Sequence, residues 1–345
     1  MSLPRQDIEA DFIYSALESF LNQTATAPMA SGLDWGRIEE IAGRNSVMPI
    51  LLSVLDNSQI PKNIVHRWRQ LSIGTELFYQ RAKRAAITLC RIFDEEGIPA
   101  AVLRGMALTQ SVYPDPSLRP MVDVDILVPE SARHILPQLM QKHGLVLKTA
   151  LRSQFIYLID GVVFEIHWSL LTPKRYRNIV DAAAWLESRR LTPTGEGMLY
   201  CLTPENELLE LVFHSFIHHE VKNLLQLIDI ALVSNLEALD WHYLVSWCRD
   251  ASVTRLFFFT VGLADHLFKL GLRKRLNEVG AAMPSLCGDM VDAYQASWLG
   301  GDTRRQFLRR KANLLHVAES PMVKLRQVVR FFSVDELCRF ARFKA

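Results

Sequence analysis

The stretch Val122-Asp123-Val124-Asp125-Ile126-Leu127-Val128 sets two aspartates at alternate positions of an otherwise apolar run. Because alternate side chains of a β-strand share a face, this pattern predicts a strand that presents Asp123 and Asp125 on one side. The other side is expected to face a core and carries Val122, Val124, Ile126 and Val128. Two carboxylates roughly 7 Å apart on one strand repel each other unless a cation lies between them. A hard divalent cation such as Mg²⁺ prefers oxygen ligands, so the stretch predicts a metal site.

Two flanking segments extend this pattern. An apolar run from Ile98 ends at Leu103-Arg104-Gly105, where a turn into a helix is predicted. Downstream, Val162 to Trp168 predicts another strand with Glu165 and His167 on one face. Its opposite, buried face is expected to hold Phe164, Ile166 and Trp168. An Asp-x-Asp pair and a third acid on a later strand form the constellation that holds two metal ions for in-line phosphoryl transfer.

At this point the chain resembles a known family. Gly105, Asp123-Val124-Asp125 and Glu165 are similar to the signature of the DNA polymerase β-type nucleotidyltransferase superfamily. More closely, LRGMAL (103–108), VYPDPSLRPMVDVDILV (112–128) and FEIHWSL (164–170) resemble a bacterial group of uncharacterised nucleotidyltransferases. The turn differs from the superfamily pattern, because it is Gly105-Met106 where Gly-Ser or Gly-Gly is usual.

The resemblance implies an enzyme that moves a nucleoside monophosphate from a nucleoside triphosphate, with ATP favoured, to a hydroxyl or phosphate acceptor. Pyrophosphate would be released, and Mg²⁺ or Mn²⁺ would be the cofactor. Asp123, Asp125 and Glu165 would be both the catalytic residues and the metal ligands. The residues expected at the nucleotide are Arg104, Gly105, Arg119 and His167. The acceptor stays open between a protein side chain, a small molecule and an RNA end.

Around this centre the chain is predicted to be helical on both sides. We expect an N-terminal helical region over 1–96, a nucleotidyltransferase core over 97–170, a connecting loop over 171–203 and a C-terminal helical domain over 204–345. Core strands are predicted at 98–103, 122–128, 145–149, 155–159 and 162–168, with a helix at 131–143. Asp160-Gly161 predicts a two-residue hairpin turn. The fold class is therefore α+β. The resemblance implies a polymerase β-type core of mixed sheet and helices between flanking helical regions.

Composition limits the remaining possibilities. The 345 residues are 49% hydrophobic and 22% charged, with a net charge of +2. Five scattered cysteines without a C-x-x-C pair indicate reduced thiols, and the longest apolar stretch, Leu256 to Ala264, is too short for a bilayer span. We therefore expect a cytoplasmic protein with no transmembrane segment and no secretory signal.

The C-terminal stretch 302–345 is basic, with eleven Lys or Arg against four Asp or Glu. Its helices are expected to present solvated basic faces, and nucleic acid is a possible partner there. A second hypothesis follows from this stretch and the unusual Gly105-Met106 turn. The chain would then be a non-catalytic nucleotide- and metal-binding module that assembles with a partner through these helices.

Overall fold

The computed structural model of the chain describes residues 7–24, 31–171, 176, 179–281, 283, 288–300, 308, 310 and 312. The helices among them are α1 (Ile8–Asn22), α2 (Trp35–Arg44), α3 (Met48–Val54), α4 (Lys62–Glu95), α5 (Arg104–Ser111), α6 (Leu136–Lys142), α7 (Ala182–Glu187), α8 (Pro204–Phe213), α9 (Leu224–Ser234), α10 (Trp241–Asp250), α11 (Thr254–Phe268), α12 (Leu272–Glu278) and α13 (Gly288–Trp298). The strands are β1 (Ala101–Val102), β2 (Asp123–Leu127), β3 (Leu147–Ala150), β4 (Gln154–Ile159), β5 (Val162–His167), β6 (Arg190–Pro193) and β7 (Met198–Cys201).

The chain forms two compact units, Met1–Trp68 with Ser215–Ala345, and Arg69–His214. In the first unit, α1 packs against α2, α3, α9 and α11. Asn45, which is fully buried, donates from Nδ2 to the carbonyl of Trp298 (2.8 Å) and accepts from the amide of Leu224 (3.1 Å). Because a buried amide side chain must find such partners, this residue ties three distant segments of the first unit together.

The second unit is built on one mixed sheet in the order β3-β4-β5-β2-β1-β7-β6. Strand β2 runs parallel to β5, and β1 runs parallel to β7, whereas the other neighbours are antiparallel. One face buries Val124, Ile126, Phe164 and Ile166 among residues of α4 and α6, which include Ala86, Phe93, Leu136 and Met140. The predicted α+β class, with a mixed sheet and flanking helical regions, is confirmed.

The predicted hairpin turn is present between β4 and β5. Asp160 and Gly161 have φ of 51° and 77°, the left-handed conformations that a two-residue turn of this twist requires. Phe164, Ile166 and Trp168 are buried as expected. The expectation for Val122 is wrong: it is 78% exposed, because β2 begins one residue later and Val122 still belongs to the preceding turn.

The prediction of a connecting loop over 171–203 is wrong from residue 182 onward, where the chain forms α7, β6 and β7. The glycines and prolines there resemble a loop, but Gly195 and Gly197 lie in the turn of a hairpin and Pro193 lies on the edge strand β6. Strand β7 is held by its parallel pairing with β1 and by burial of Leu199 and Cys201. Tertiary pairing therefore decides the structure of this segment.

The described cysteines Cys90, Cys201 and Cys248 are buried thiols that form no disulfide, and Cys287 and Cys338 lie outside the described residues. Burial raises the pKa of Cys90 and Cys201 to about 12, so both stay protonated and unreactive at neutral pH. Within the described part of the chain, no helix combines the length and apolarity that a bilayer crossing needs. The basic stretch 302–345 lies outside the described residues except for 308, 310 and 312.

The hairpin of β6 and β7 allows a matched test of the sheet. Leu199 on β7 is fully buried, whereas Leu191 on β6 is 49% exposed. Leu199→Ala should lower the free energy of unfolding by about 2–5 kcal/mol, because it removes a core side chain and leaves a cavity. Leu191→Ala, the control, should cost less than about 1 kcal/mol. Urea unfolding followed by circular dichroism measures both, and equal losses would contradict the assignment of this segment to the sheet.

Candidate active site

The parallel pairing of β2 with β5 brings the acids of two distant segments together. In this register Asp125 lies opposite Glu165, and Leu127 lies opposite His167. A parallel pair aligns side chains of the same parity on the same face, so the polar residues of both strands meet on the face opposite the apolar core. Adjacency of β2 and β5, which the sequence does not specify, is therefore what makes Glu165 a neighbour of the Asp-x-Asp pair.

Asp125 is the most enclosed of these acids, with 6% of its surface exposed. Its Oδ1 accepts hydrogen bonds from Arg104 Nη1 (2.9 Å) and from His167 Nε2 (2.8 Å). Burial is the largest single influence and favours the neutral acid, but Arg104 and His167 outweigh it and lower the pKa of Asp125 to about 2. Asp125 is therefore a carboxylate throughout the physiological range.

His167 links the acids of the two strands. Its Nε2 lies 2.8 Å from Asp125 Oδ1 and 3.5 Å from Glu165 Oε2. Burial opposes the charged imidazolium, yet hydrogen bonds to Asp125 and Glu165 raise the pKa of His167 above its usual value. The imidazole is thus held in place by two carboxylates and in turn neutralises part of their charge.

Glu165 is half-buried and has a second partner on the neighbouring strand. Gln154 of β4, which lies opposite His167 in the antiparallel register, donates from Nε2 to Glu165 Oε2. The hydrogen bond from His167 is the largest influence on the pKa of Glu165, which is lowered although burial acts in the other direction. Gln154 is a site residue that sequence reasoning missed, because a neutral amide in a strand carries no distinctive pattern.

Asp123 behaves in the opposite way from Asp125. It is partly exposed, and burial together with the charges of Asp125 and Glu165 raises its pKa to about 6, although Arg104 and Arg119 act to lower it. Two acids on one strand therefore have pKa values displaced in opposite directions by their surroundings. Arg104 and Arg119 therefore do not fully compensate the negative charge of ionised Asp123.

Arg104 is the central cation of the site. Its Nη1 donates to Asp125 (2.9 Å) and its Nε donates to Glu210 Oε1 of α8 (2.8 Å). Burial disfavours its charge, but the two carboxylates dominate and raise the pKa of Arg104 above its already high value. The backbone of Arg104 is left-handed, with φ of 51°, at the start of α5. Such a conformation is costly for a residue with a Cβ and is typical of functional turns.

Gly105 follows Arg104 and lies in close contact with the side chain of Arg119. A Cβ at this position would lie 2.6 Å from Arg119 Nη1 and 3.3 Å from the Cβ of Met121. The guanidinium of Arg119 therefore packs over the turn, and its charge lowers the pKa of both Asp123 and Asp125. All seven site residues predicted from the sequence thus lie in one neighbourhood of the second unit.

The donor set fits a divalent cation. Ligand atoms of Asp125, Glu165 and His167 all lie within 4.8 Å of one another. Asp123, on the same strand as Asp125, adds a carboxylate whose raised pKa reports uncompensated negative charge. Carboxylate oxygens are the ligands of Mg²⁺ and Mn²⁺, and a cation here would relieve the repulsion between these acids. Asp125, Glu165 and His167 therefore form a group that could hold a metal ion, and Asp123 is a further carboxylate on the same strand as Asp125.

A family model described as "Uncharacterised nucleotidyltransferase" matches residues 31–269. No curated protein sequence matches the chain. Two solved structures of the antibiotic-resistance factor ANT(2'')-Ia are similar. The solution structure has 13% identity and a TM-score of 0.28, and it covers 58% of this chain and 96% of its own. The crystal structure in complex with adenylyl-2''-tobramycin has 15% identity and a TM-score of 0.29, with 55% and 97% covered.

The raised pKa of Asp123 predicts a pH-dependent gain in stability on its removal. Its folded pKa of about 6 exceeds the ordinary 3.8, so the stabilising contribution of the protonated form is lost as pH rises through about 6. In chelator-treated protein, Asp123→Asn should therefore raise the free energy of unfolding at pH 8 by about 1–2 kcal/mol, a figure discounted for partial exposure. The gain should shrink as pH falls from about 6 to about 4.

Asp160→Asn is the control, because it makes the same substitution at an exposed position of the β4–β5 turn. It should change the free energy of unfolding by less than about 0.5 kcal/mol at either pH. Urea unfolding at pH 5 and pH 8 measures both variants. A loss of stability in Asp123→Asn at pH 8 would show that the carboxylate is compensated in the folded chain.

Proposed function

The chain belongs to the uncharacterised nucleotidyltransferase family, and we propose that it transfers a nucleoside monophosphate from a nucleoside triphosphate to a hydroxyl or phosphate acceptor, releasing pyrophosphate. The observation that carries this proposal is the parallel register that sets Asp125 opposite Glu165, with Asp123 two residues before Asp125. Three acids concentrated on one polar face suit a reaction in which a negatively charged triphosphate must be bound and attacked.

Asp123, Asp125 and Glu165 would hold the divalent cation, Mg²⁺ or Mn²⁺. When bound, the metal supplies positive charge to the triphosphate and the leaving pyrophosphate and lowers the pKa of the attacking hydroxyl. The protein contributes a fixed arrangement of oxygens, since Gln154 and His167 both hold Glu165 and since His167 also holds Asp125. Residues that orient metal ligands in this way commonly affect metal affinity by about 10–100-fold.

Arg104 and Arg119 are the cations that we assign to the triphosphate. A guanidinium presents several N–H donors in a plane and suits phosphate oxygens. Gly105 lies against the guanidinium of Arg119 and is the second residue of α5, whose first amides can donate to an anion. ATP is the donor that we expect.

The acceptor is assigned only to a class, a hydroxyl or phosphate group on a protein, a small molecule or RNA. If the acceptor is RNA, the basic stretch 302–345 would contribute to its recognition. We expect the reaction to take place in the cytoplasm, where thiols such as the buried Cys90 and Cys248 remain reduced.

Removal of one metal ligand should abolish most of the transfer. Asp125→Asn and Glu165→Gln should each lower the rate of nucleoside monophosphate transfer by about 10²–10³-fold, because they weaken charge stabilisation worth several kcal/mol. Asp160→Asn, the matched control in the exposed hairpin, should retain the wild-type rate. The assay uses α-labelled ATP, CTP, GTP and UTP with Mg²⁺ or Mn²⁺ and a cell extract, and it follows label into protein, RNA and small-molecule fractions.

Label that appears in one fraction with wild type and not with Asp125→Asn identifies the acceptor class. Wild-type turnover by Asp125→Asn would contradict the assignment of the catalytic acids. Metal-dependent nucleotide binding without any transfer would instead favour the non-catalytic binding module.

A further inference from the structure

Glu210 is a buried carboxylate that the sequence pattern does not single out. It lies on α8, is 4% exposed and accepts a hydrogen bond at Oε1 from Arg104 Nε (2.8 Å). Within the described part of the chain, its Oε2 is buried without a hydrogen-bond partner. Burial raises the pKa of Glu210, and the charge of Arg104 opposes that rise. A buried acid is costly unless it is paired, so the presence of Glu210 needs a reason.

Arg104 is shared between Asp125 and Glu210. Asp125 accepts from Nη1 of the guanidinium and Glu210 accepts from Nε, so the two acids bind different nitrogens of the same cation. A guanidinium keeps its charge under all physiological conditions and offers five N–H donors in a fixed plane. One of the two bonds can therefore be given up while the other continues to hold the cation in place.

Metal binding would draw on the same carboxylate. Asp125 Oδ1 accepts from both Arg104 and His167. A cation that binds Asp125, at Oδ1 or at Oδ2, would share its negative charge with the guanidinium and so weaken the pairing with Arg104. If Asp125 were the sole anion in hydrogen-bond contact with the nearly buried guanidinium, that weakening would leave a buried charge without full compensation, which is strongly unfavourable. Glu210 removes that penalty, because Arg104 keeps a buried counter-ion.

We propose that Glu210 is a positioning residue, which holds Arg104 through Nε and so frees Asp125 to bind a divalent cation. This inference rests on the proposed function, in which Asp125 is a metal ligand. Arg104, retained by Glu210, then remains beside the metal with Nη1 available as a donor to a phosphate oxygen of the nucleotide. Glu210 thus acts on the metal through Arg104 and makes no contact with the reacting atoms.

The test measures Mn²⁺ binding to chelator-treated protein by isothermal titration calorimetry, without nucleotide. Glu210→Gln should raise the Kd for Mn²⁺ about tenfold, because Arg104 would then be held by Asp125 alone. Glu207→Gln is the matched control, since Glu207 lies one turn earlier on α8 and is also 4% exposed. It should leave the Kd within about threefold of wild type. Thermal midpoints of both variants, recorded alongside, separate a general loss of stability from a change in metal affinity.

Repeating the substitution in a variant that lacks Arg104 shows whether Glu210 acts through Arg104. In Arg104→Gln, the further change Glu210→Gln should alter the Kd for Mn²⁺ by less than about threefold, because the shared cation is already absent. This double variant also removes both buried charges together, so it provides the comparison even if Glu210→Gln alone does not fold. A tenfold weakening in the Arg104→Gln background would overturn the inference, because Glu210 would then act on the site directly.

An unchanged Kd in Glu210→Gln, with Mn²⁺ binding lost in Asp125→Asn, would overturn the role of Glu210 and leave the metal site intact. Absence of Mn²⁺ binding in the wild type would overturn the proposed function itself, and with it this inference. The two failures are therefore distinguishable in one set of titrations.

Discussion

The register between β2 and β5 is the constraint on which the candidate site depends. Parallel pairing sets Asp125 beside Glu165, and on the other face it buries Val124, Ile126, Phe164 and Ile166 in one core. A slip of one residue would reverse both faces at once, exposing the apolar side chains and burying the acids. The hydrophobic effect therefore fixes the register, and the register in turn imposes the repulsion among the acids.

That repulsion is compensated unevenly. Arg104 and His167 both contact Asp125 and bring its pKa to about 2, whereas Asp123, two residues away, is left with a pKa of about 6. The difference arises because the two closest cations bind the more buried acid. Folding therefore leaves an unfavourable charge at the partly exposed end of the pair, where a solvent cation can reach it. Sites that store such strain commonly give up stability for function.

Local patterning predicted much of this arrangement. The period-2 alternation around Asp123 and Glu165 predicted the polar and apolar faces of β2 and β5, and Asp160-Gly161 predicted the hairpin of β4 and β5, because both signals depend on neighbouring residues. The hairpin of β6 and β7 was missed because its short strands exist through pairing with β1 and burial of Leu199. Glu210 was missed because a glutamate in a helix normally faces solvent, and only the tertiary position of Arg104 gives it a buried partner.

The chemistry of Arg104 connects these observations. Its left-handed backbone follows β1, and the side chain reaches one acid on β2 and one on α8. A lysine at this position would carry the same charge but lacks the planar set of separate donors that lets two carboxylates bind different nitrogens. The guanidinium thus combines two functions: it compensates the charge of Asp125, and it can stay paired with Glu210 when a metal ion draws on the same carboxylate. This second function accounts for the cost of burying Glu210. If Asp125 were its single counter-ion, Arg104 would only compete with the metal ion for that carboxylate.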